Sequence, residues 1–423
     1  MMKRDILIII GILAISFSKQ TQAQTLYACL DSAEKNMPIL KQQPLLADLL
    51  QNKLKIYNRS YLPMVTANGQ ATYQSAVPEL PFTFPGVPAI DIPKFQYRAY
   101  LELYQPVFDA GISSAQKTAE KAKHEVSLMT LEVGLSEYKK QVAKLYFQML
   151  LVDDQLEIIS KTLELMAERE KSVKIALENG VAQQNDLLKL QSEVLQQEKK
   201  QHELTSAKES GMEVLSILTG MEIQNGKLEM PVIGNEVGLD YAANLELQLI
   251  NTQQKGLMAT EKLLKSKRLP MINLFGQAGL GAPNPYNFFN PDLSGYGMVG
   301  LKATWNIWDW GKTSLERKNL RLNSSLMDVQ QSQKKVEIES KISQIRAETS
   351  KLSKALQWDE KMLVLRSQIR KNAEVQVEQG VITSTDYLNE VLAEQLTELT
   401  RSVDQISLYQ NQVMLQFETG ILK

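Results

Sequence analysis

Few residues of this chain have the types and spacing that catalysis or metal binding requires. Asp153 and Asp154 form a carboxylate pair of the kind used in general acid–base catalysis, but adjacent residues of a helix point in different directions. The two histidines, His124 and His202, leave little for a metal centre or a catalytic triad. The sequence contains no phosphate-binding glycine-rich loop, no HExxH and no serine in a nucleophile elbow. The residues therefore predict no enzyme, no cofactor and no metal site.

The N-terminus predicts export. Lys3 and Arg4 precede an apolar run at 6–17, and a polar stretch at 18–24 follows, which is the order found in a secretory signal peptide. The run is too short for a membrane anchor, because the hydrocarbon core is about 30 Å thick. We therefore predict a signal peptide at 1–23, with cleavage after Ala23. No later stretch reaches a helical membrane span, so any membrane-embedded part would consist of strands.

The single cysteine and the charge balance exclude further classes. Cys29 permits no internal disulfide framework and no cysteine-cluster metal site. The segment 26–29 is similar to a lipidation site, but polar and small residues separate it from the apolar run that such a site should follow. We expect Cys29 to be a buried apolar position of the first helix. The 47 Lys and Arg balance 48 Asp and Glu, which gives no general attraction to nucleic acid.

The positions of the 14 prolines indicate very long helices. All of them lie in 38–106, at 231 or in 270–291 of the 423 residues, and the stretches 107–230 and 292–423 contain none. Proline inside a helix costs about 3 kcal/mol. The first proline-free stretch also carries apolar residues at alternating spacings of three and four, which predicts a coiled-coil seam. Its members are Leu128, Leu131, Leu135, Tyr138, Val142, Leu145, Met149, Val152, Leu156, Ile159, Leu163 and Met166.

An internal repeat of 200 residues divides the chain. Segment 108–111 (FDAG) returns at 308–311 (WDWG), segment 178–181 (ENGV) at 378–381 (EQGV), and segment 218–220 (LTG) at 418–420 (ETG). Matches in the same order at one offset indicate duplication. We therefore predict a signal peptide at 1–23, a first structural repeat at 24–223 and a second at 224–423.

Each copy has the predicted order helix, strand, strand, long helix, helix. The first helix spans about 28–60 or 240–268. The strands span about 62–74 and 95–107 in the first copy, and about 269–281 and 296–307 in the second. The long helices span about 110–178 and 310–378, and the returning helices span about 184–219 and 384–419. The predicted fold class is therefore mainly α with a strand segment. The whole unit of helix, strand, strand, long helix and helix is duplicated in tandem.

The strands alternate between apolar and polar residues. Such strands fit a membrane barrel with a wet interior or a half-buried soluble sheet, and alternation alone does not separate the two. Export and the aromatic residues Phe108, Trp308 and Trp310 at the strand ends favour the barrel, because aromatic side chains collect at membrane interfaces. Four strands cannot close a barrel, so the chain must oligomerise. A homotrimer gives 12 strands and an aqueous bore, whereas the eight strands of a dimer would nearly fill their interior.

These residues resemble the TolC-type outer membrane efflux protein family. The resemblance covers essentially the whole mature chain and rests on the duplicated element order, the opening Leu-x-x-Cys-Leu-x-x-Ala at 26–33 and the Gly-Val-x-x-x-x-Asp segments at 180–186 and 380–386. It implies a trimer whose 12-stranded outer-membrane β-barrel continues as a periplasmic α-helical coiled-coil barrel. It implies an outer-membrane location in a Gram-negative bacterium. The implied partners are outer-membrane lipid, a periplasmic adaptor and an inner-membrane pump of the RND or ABC type.

The resemblance also assigns roles to the two helix tips. The implied adaptor-docking residues are Asn179, Gly180, Val181, Asp186, Gln379, Gly380 and Val381. The two acidic gate positions of the family match Asp386 and Asn389, so that only the first is acidic here. Capping of the returning helices is the open alternative for Asp186 and Asp386. The alternative to a passive exit duct is an exported coiled-coil structural or adhesive surface protein, and the residues do not indicate the cargo.

Overall fold

The computed structural model describes residues 24–78, 92–223, 228–232, 241–287 and 290–422. The predicted signal peptide at 1–23 and the middle of the loop between the first two strands lie outside this range. The helices are α1 (Leu26–Asn36), α2 (Gln42–Arg59), α3 (Ile112–Glu178), α4 (Gln184–Thr219), α5 (Leu245–Ser266), α6 (Lys312–Glu378) and α7 (Ser384–Thr419). The strands are β1 (Met64–Tyr73), β2 (Phe95–Phe108), β3 (Met271–Ala282) and β4 (Ser294–Thr304).

The two proline-free stretches contain the long helices. α3 and α6 have 67 residues each, which corresponds to about 100 Å at the rise of an α-helix. Every residue of the predicted seam in α3 is buried or half-buried, and Val142, Ile159 and Met166 are almost completely inaccessible. The prediction of a long helix with a heptad seam is confirmed. No helix of the described chain is both long and apolar enough to cross a bilayer.

The first helix of the first copy is interrupted, so the prediction of one helix over 28–60 was wrong. α1 ends at Asn36, and Met37 has an extended backbone with ψ of 118°. A short 3₁₀ helix at Pro38–Lys41 then leads into α2. Proline disfavours the helical conformation of the residue before it, which explains the break at Met37. The second copy has no proline at this place, and α5 is continuous.

The four strands form one antiparallel sheet in the order β1-β2-β3-β4. Val65 pairs with Leu103, Leu103 with Gly276, and Gly276 with Val299, so the predicted apolar positions of all four strands share one face. We call this the apolar face. The opposite, polar face carries Thr66, Asn68, Gln70, Thr72, Gln96, Arg98, Tyr100, Glu102, Tyr104, Gln277, Tyr296 and Lys302.

The strand bounds differ from the predicted ones mainly at the end of β4. The strand ends at Thr304, whereas we predicted strand to about 307. The indole N–H of Trp305 instead donates to the backbone oxygen of Arg268 over 3.1 Å. In β2 an irregularity between Pro106 and Phe108 shifts the pairing, so that Phe108 lies opposite Ile272 and not on the polar face. This shift matches the usual effect of a β-bulge, which redirects the side chains that follow it.

Contacts divide the described chain into two compact units that do not coincide with the two repeats. The first unit holds residues 24–37, 139–223, 228–232 and 345–414, and the second holds 38–78, 92–138, 241–287, 290–344 and 415–422. Each unit takes segments from both copies, and α3 and α6 contribute to both units. The division into repeats therefore remains an interpretation of the sequence.

The returning helices end in the same way in both copies. Gly220 and Gly420 adopt left-handed backbones with φ of 67° and 76°. The side chain of Asn36 donates to the backbone oxygen of Thr219 over 2.9 Å, and that of Asn244 donates to the backbone oxygen of Glu418 over 3.0 Å. Glycine is needed at Gly420 for a second reason, because a Cβ there would lie 2.3 Å from the backbone oxygen of Ala243.

We predict that Gly420→Ala destabilises the protein by about 1–3 kcal/mol through backbone strain and the clash with Ala243. Gly180→Ala is the matched control, because Gly180 also has φ of 76° but no atom lies within 4 Å of its added Cβ. Thermal unfolding followed by circular dichroism should show a larger loss for Gly420→Ala than for Gly180→Ala. Equal losses would contradict the role of the Ala243 contact.

Candidate functional site

The turn between α3 and α4, which we call the first tip, is a glycine-capped helix end. Gly180 has φ of 76°, and the backbone N–H of Val181 donates to the oxygen of Ala176 over 2.8 Å. The side chain of Asn179 donates to the oxygen of Ile175 over 2.9 Å. These bonds satisfy the last carbonyls of α3 and leave the side chain of Val181 81 % exposed.

The turn between α6 and α7, which we call the second tip, repeats this geometry. Gly380 has φ of 73°, and the N–H of Val381 donates to the oxygen of Gln376 over 2.8 Å. Gln379 is exposed beside Gly380, as Asn179 is beside Gly180. Val381 is 67 % exposed. Both tips therefore present a valine on a turn whose backbone is already hydrogen-bonded.

Asp386 forms a reciprocal capping box at the start of α7. Its carboxylate accepts hydrogen bonds from the hydroxyl of Thr383 over 2.7 Å and from the backbone N–H of Thr383 over 3.0 Å. The N–H of Asp386 donates back to the Thr383 hydroxyl over 3.1 Å. These bonds from Thr383 hold the pKa of Asp386 below its ordinary value. Thr383 and Asp386 thus stand in the Ncap and N3 positions of a capping box.

The other predicted tip residues have different environments. Asn389 lies one turn after Asp386, and both side chains are exposed. Asp186 lies half-buried in the first turn of α4, where the positive end of the helix dipole stabilises its negative charge. Gln183, the residue before α4, makes no side-chain capping bond. The capping box is therefore present at the second tip and not at the first.

Two apolar clusters support the tips. The first contains Met166, Val173, Leu187, Leu190 and Leu388, and the second contains Ala373, Val377, Tyr387 and Val391. Leu388 of α7 belongs to the cluster built by α3 and α4, and Leu165 of α3 packs against the cluster built by α6 and α7. The two helical hairpins therefore pack against each other and fix the position of both tips.

Charged side chains connect the same helices. Arg370 of α6 pairs with Glu394 of α7 over 2.5 Å and with Glu374 over 3.1 Å, and both Arg370 and Glu394 are largely buried. Arg169 of α3 donates to the hydroxyl of Ser384 over 2.7 Å and lies 5.8 Å from the ring centre of Tyr387. Burial raises the pKa of Tyr387, so its hydroxyl stays neutral. This network links α3 to the first turn of α7, next to the capping box.

The sequence did not indicate the network of Arg169, Arg370, Tyr387 and Glu394. Each of these residues lies in a helix rich in charges, where a solvated surface is the ordinary expectation. The one available signal was the run Asp386-Tyr387-Leu388, in which two apolar residues follow the predicted tip. That run indicated a buried side at the start of α7 but not its arginine partners.

The adjacent carboxylates Asp153 and Asp154 and the single cysteine Cys29 lie in helices. Asp153 pairs with Lys208 over 2.5 Å, whereas Asp154 accepts from the hydroxyl of Ser402 over 2.8 Å. The two carboxylates thus contact different helices, as predicted from their adjacent positions. Cys29 is fully buried in α1, and burial raises the pKa of its thiol to about 11. Its predicted position as a buried residue is confirmed.

The turn from strand to long helix carries the predicted aromatic residues. Asp109 and Asp309 accept hydrogen bonds from the N–H groups of Gly111 and Gly311 over 2.9 and 3.0 Å, and both glycines have positive φ. This shared turn explains why the sequence pattern recurs. Phe108, Trp308 and Trp310 are 50 %, 71 % and 87 % exposed, and the two tryptophan rings pack edge to face at 5.8 Å.

Comparisons with known proteins agree with this architecture. The chain superimposes on the outer membrane protein VceC from Vibrio cholerae with a TM-score of 0.71 at 13 % identity, covering 93 % of this chain and 96 % of that one. The outer membrane channel CmeC from Campylobacter jejuni gives 0.69 at 15 % identity, with 95 % and 87 % covered. The MtrE outer membrane channel of Neisseria gonorrhoeae, solved in its open state, gives 0.70 at 16 % identity, with 93 % and 88 % covered. No curated protein sequence matches the chain significantly.

At these identities the likeness shows that the chain has the fold of these outer-membrane channels. Residues 29–220 match the family model described as outer membrane efflux protein. The likeness to this family in sequence is confined to that segment, whereas the shared fold covers 93 % of the chain. The resemblance inferred from the repeated motifs is confirmed.

We predict that the start of α7 loosens in acid. The pKa of Asp386 is lower in the folded chain than in the unfolded one, so the capping box adds stability above the unfolded value. That stability is lost as the pH falls through the lowered folded value. Hydrogen exchange of the amides at 384–388, corrected for intrinsic rates, should show protection that decreases in this range.

Asp386→Ala should show the low protection already at neutral pH, whereas Asp186→Ala at the first tip should leave protection at 384–388 unchanged. Equal protection at 384–388 in wild type and Asp386→Ala across this pH range would contradict a stabilising role of the box.

Proposed function

We propose that the protein is the outer-membrane exit duct of a tripartite efflux or type I secretion system, and that it conducts substrates passively from the periplasm to the outside. The observation that carries the proposal is the sheet, in which all four strands share one apolar face and one polar face. Such a sheet suits a wall between lipid and water. The match of residues 29–220 to the outer membrane efflux protein family and the fold shared with outer-membrane channels support it.

A homotrimer completes the barrel in this proposal. The sheet order leaves β1 and β4 as edges, and unpaired backbone groups at these edges would each cost several kcal/mol in hydrocarbon. Joining β4 of one copy to β1 of the next removes both edges. Three copies of four strands give 12 strands, which encloses an aqueous bore. Phe108, Trp308 and Trp310 then contact lipid headgroups at the periplasmic interface.

Two exposed apolar stripes of the second unit support the same assembly. One lies on α2 at Leu45, Leu49 and Ile56, and the other lies on α6 at Leu315, Leu322, Leu326, Val329 and Val336. All are more than half exposed in the single chain and recur at heptad spacing. Because the two stripes are different surfaces, pairing α6 of one copy with α2 of the next is a head-to-tail contact, which generates a ring where the rotation between copies closes.

The variant Leu322→Gln/Leu326→Gln should prevent the trimer from forming, because it places two amides in the proposed apolar interface. Lys335→Gln, an exposed position off the stripe of the same helix, should leave the trimer intact. The measurement is the mass of the detergent-solubilised protein by light scattering, followed by ion conductance in a planar bilayer. A monomeric wild-type protein without conductance would overturn the proposed duct and favour the coiled-coil surface protein.

The tips are the periplasmic end in this proposal. Val181 and Val381 with their neighbours Asn179, Gly180, Gln379 and Gly380 would dock a periplasmic adaptor, since docking would remove the exposed apolar surface of both valines from water. The adaptor would connect the duct to an inner-membrane pump of the RND or ABC type. Asp186 lies half-buried beside the first tip, and its carboxylate would form part of the same docking surface.

Asp386 would also contribute one carboxylate per copy to a ring at the entrance, with Asn389 one turn further along α7. Its exposure and its lowered pKa keep a negative charge available there at neutral pH. Three such charges attract divalent cations. The capping bonds from Thr383 do not remove this charge, so capping and cation binding are compatible.

We predict that a divalent cation added on the tip side blocks single-channel conductance, and that Asp386→Asn weakens this block about tenfold by removing the ring of charges. Asp186→Asn is the control for a tip carboxylate outside the ring. Thr383→Val removes the capping hydroxyl but keeps the charge, so its block should resemble that of wild type. An unchanged block in Asp386→Asn would contradict the proposed ring.

A further inference from the structure

We propose that Arg98, Tyr100, Tyr286 and Tyr296 form a binding site for planar aromatic anions at the loop end of the polar face. The site lies at the strand ends opposite to those that join the helices, and the loop between β3 and β4 contributes to it. This inference rests on the proposed duct, in which the polar face lines the bore. It deepens that function by identifying a place where cargo of one chemical class is retained before release.

The loop between β3 and β4 is folded over the polar face by Asn284. The amide of Asn284 donates to the hydroxyl of Ser294 over 2.9 Å and to the oxygen of Gly295 over 3.2 Å. Its side-chain oxygen accepts from the N–H of Tyr286 over 3.0 Å and from the N–H of Asn287 over 3.1 Å. A Cβ on Gly281, which pairs with Arg98, would meet Pro285 at 3.0 Å. The loop therefore lies against the polar side of the sheet.

The folded loop brings a third tyrosine ring next to two that lie on the polar face of the sheet. Tyr286 packs edge to face on Tyr296 with ring centres 5.4 Å apart, and Tyr296 lies 6.4 Å from Tyr100. Tyr286 is half exposed, so the outer ring of the cluster remains accessible. The hydroxyl of Tyr296 is buried and has no hydrogen-bond partner among the described residues. A buried hydroxyl without a partner is costly, so a movement of the loop that let a polar group reach it would be favoured.

Arg98 supplies the charge of the site. Its guanidinium donates twice to the side-chain oxygen of Gln70, over 2.6 and 2.9 Å, and lies 5.4 Å from the ring centre of Tyr100. Both partners are uncharged, so the positive charge of Arg98 is held in place and not neutralised by them. Glu102 follows Tyr100 on the polar face of β2, and its carboxylate accepts a hydrogen bond from the side chain of Gln277 over 3.1 Å.

A hollow of about 540 Å³ adjoins these residues. Arg98 lines it together with Gln70, Thr72 and Gln96 of the polar face, Pro283, Asn284 and Pro285 of the loop, and Tyr73 and Tyr97 at the strand ends. This volume suits one small bicyclic molecule, since ligand pockets begin at about 300 Å³. An anion in this hollow would lie beside the guanidinium, and its ring would extend past Pro285 toward the half-exposed ring of Tyr286. An aromatic cation would meet the same tyrosine ring but would be repelled by Arg98.

The experiment is a current-block measurement on the reconstituted trimer. Naphthalene-2-sulfonate is added to the compartment on the loop side, with methanesulfonate as the non-aromatic anion and benzyltrimethylammonium as the aromatic cation. We expect block by naphthalene-2-sulfonate at concentrations where neither of the other two blocks. Tyr286→Ala and Arg98→Gln should each raise its half-blocking concentration roughly five- to tenfold, the loss of one ring or guanidinium contact.

Tyr104→Ala is the control, because it removes a tyrosine from the same face of β2 nearer the helical end. Tyr286 lies in a loop and Arg98→Gln is close in size, so both variants should assemble, and trimer mass verifies this. If all variants conduct and block like wild type, or if methanesulfonate blocks equally well, the aromatic-anion site is refuted while the duct stands. A trimer without any conductance would overturn the duct and this site together.

Discussion

Backbone N–H and C=O groups that enter hydrocarbon must be paired within protein, and the rest of this structure depends on that constraint. Within the four-stranded sheet of the single chain, neighbouring strands pair these groups. The outer backbone groups of the edge strands β1 and β4 have no neighbouring strand. The apolar stripes on α2 and α6 are also uncovered in the single chain, because their leucine, isoleucine and valine side chains are more than half exposed. In the proposed trimer a neighbouring copy would cover both the strand edges and the helix stripes.

The helices impose a second requirement. The last backbone carbonyls of each helix must find hydrogen-bond donors in the turn that follows it. Positive-φ glycines provide this at Gly180 and Gly380 and again at Gly220 and Gly420. The turns from strand to helix use an aspartate and a glycine in both copies. The same backbone turns therefore recur at equivalent places of the two predicted repeats, while the helix surfaces between them differ in composition.

The tips combine a rigid backbone with exposed side chains. The Thr383–Asp386 box, the Arg370–Glu394 pair and the contact of Arg169 with Tyr387 hold the start of α7 in place. Val181, Val381, Asp386 and Asn389 remain exposed on this support. A surface of this kind suits docking and charge selection, whereas the loop end of the sheet carries a different chemistry, with one arginine among tyrosines.

The sequence by itself determined the periodic features of this protein. Proline placement, the heptad seam of α3 and strand alternation predicted the long helices and the two faces of the sheet, because these depend on spacing along one chain. The break at Met37 was missed, although the rule for a residue before proline was available in the sequence. Only the tertiary structure decided which helices share a core, that Arg169 meets Ser384 and Tyr387, and that Asn284 folds its loop over Arg98 and Tyr296. The contacts of Arg169 join residues about 215 positions apart in sequence. No local pattern records such contacts, because each partner alone looks like an ordinary surface residue.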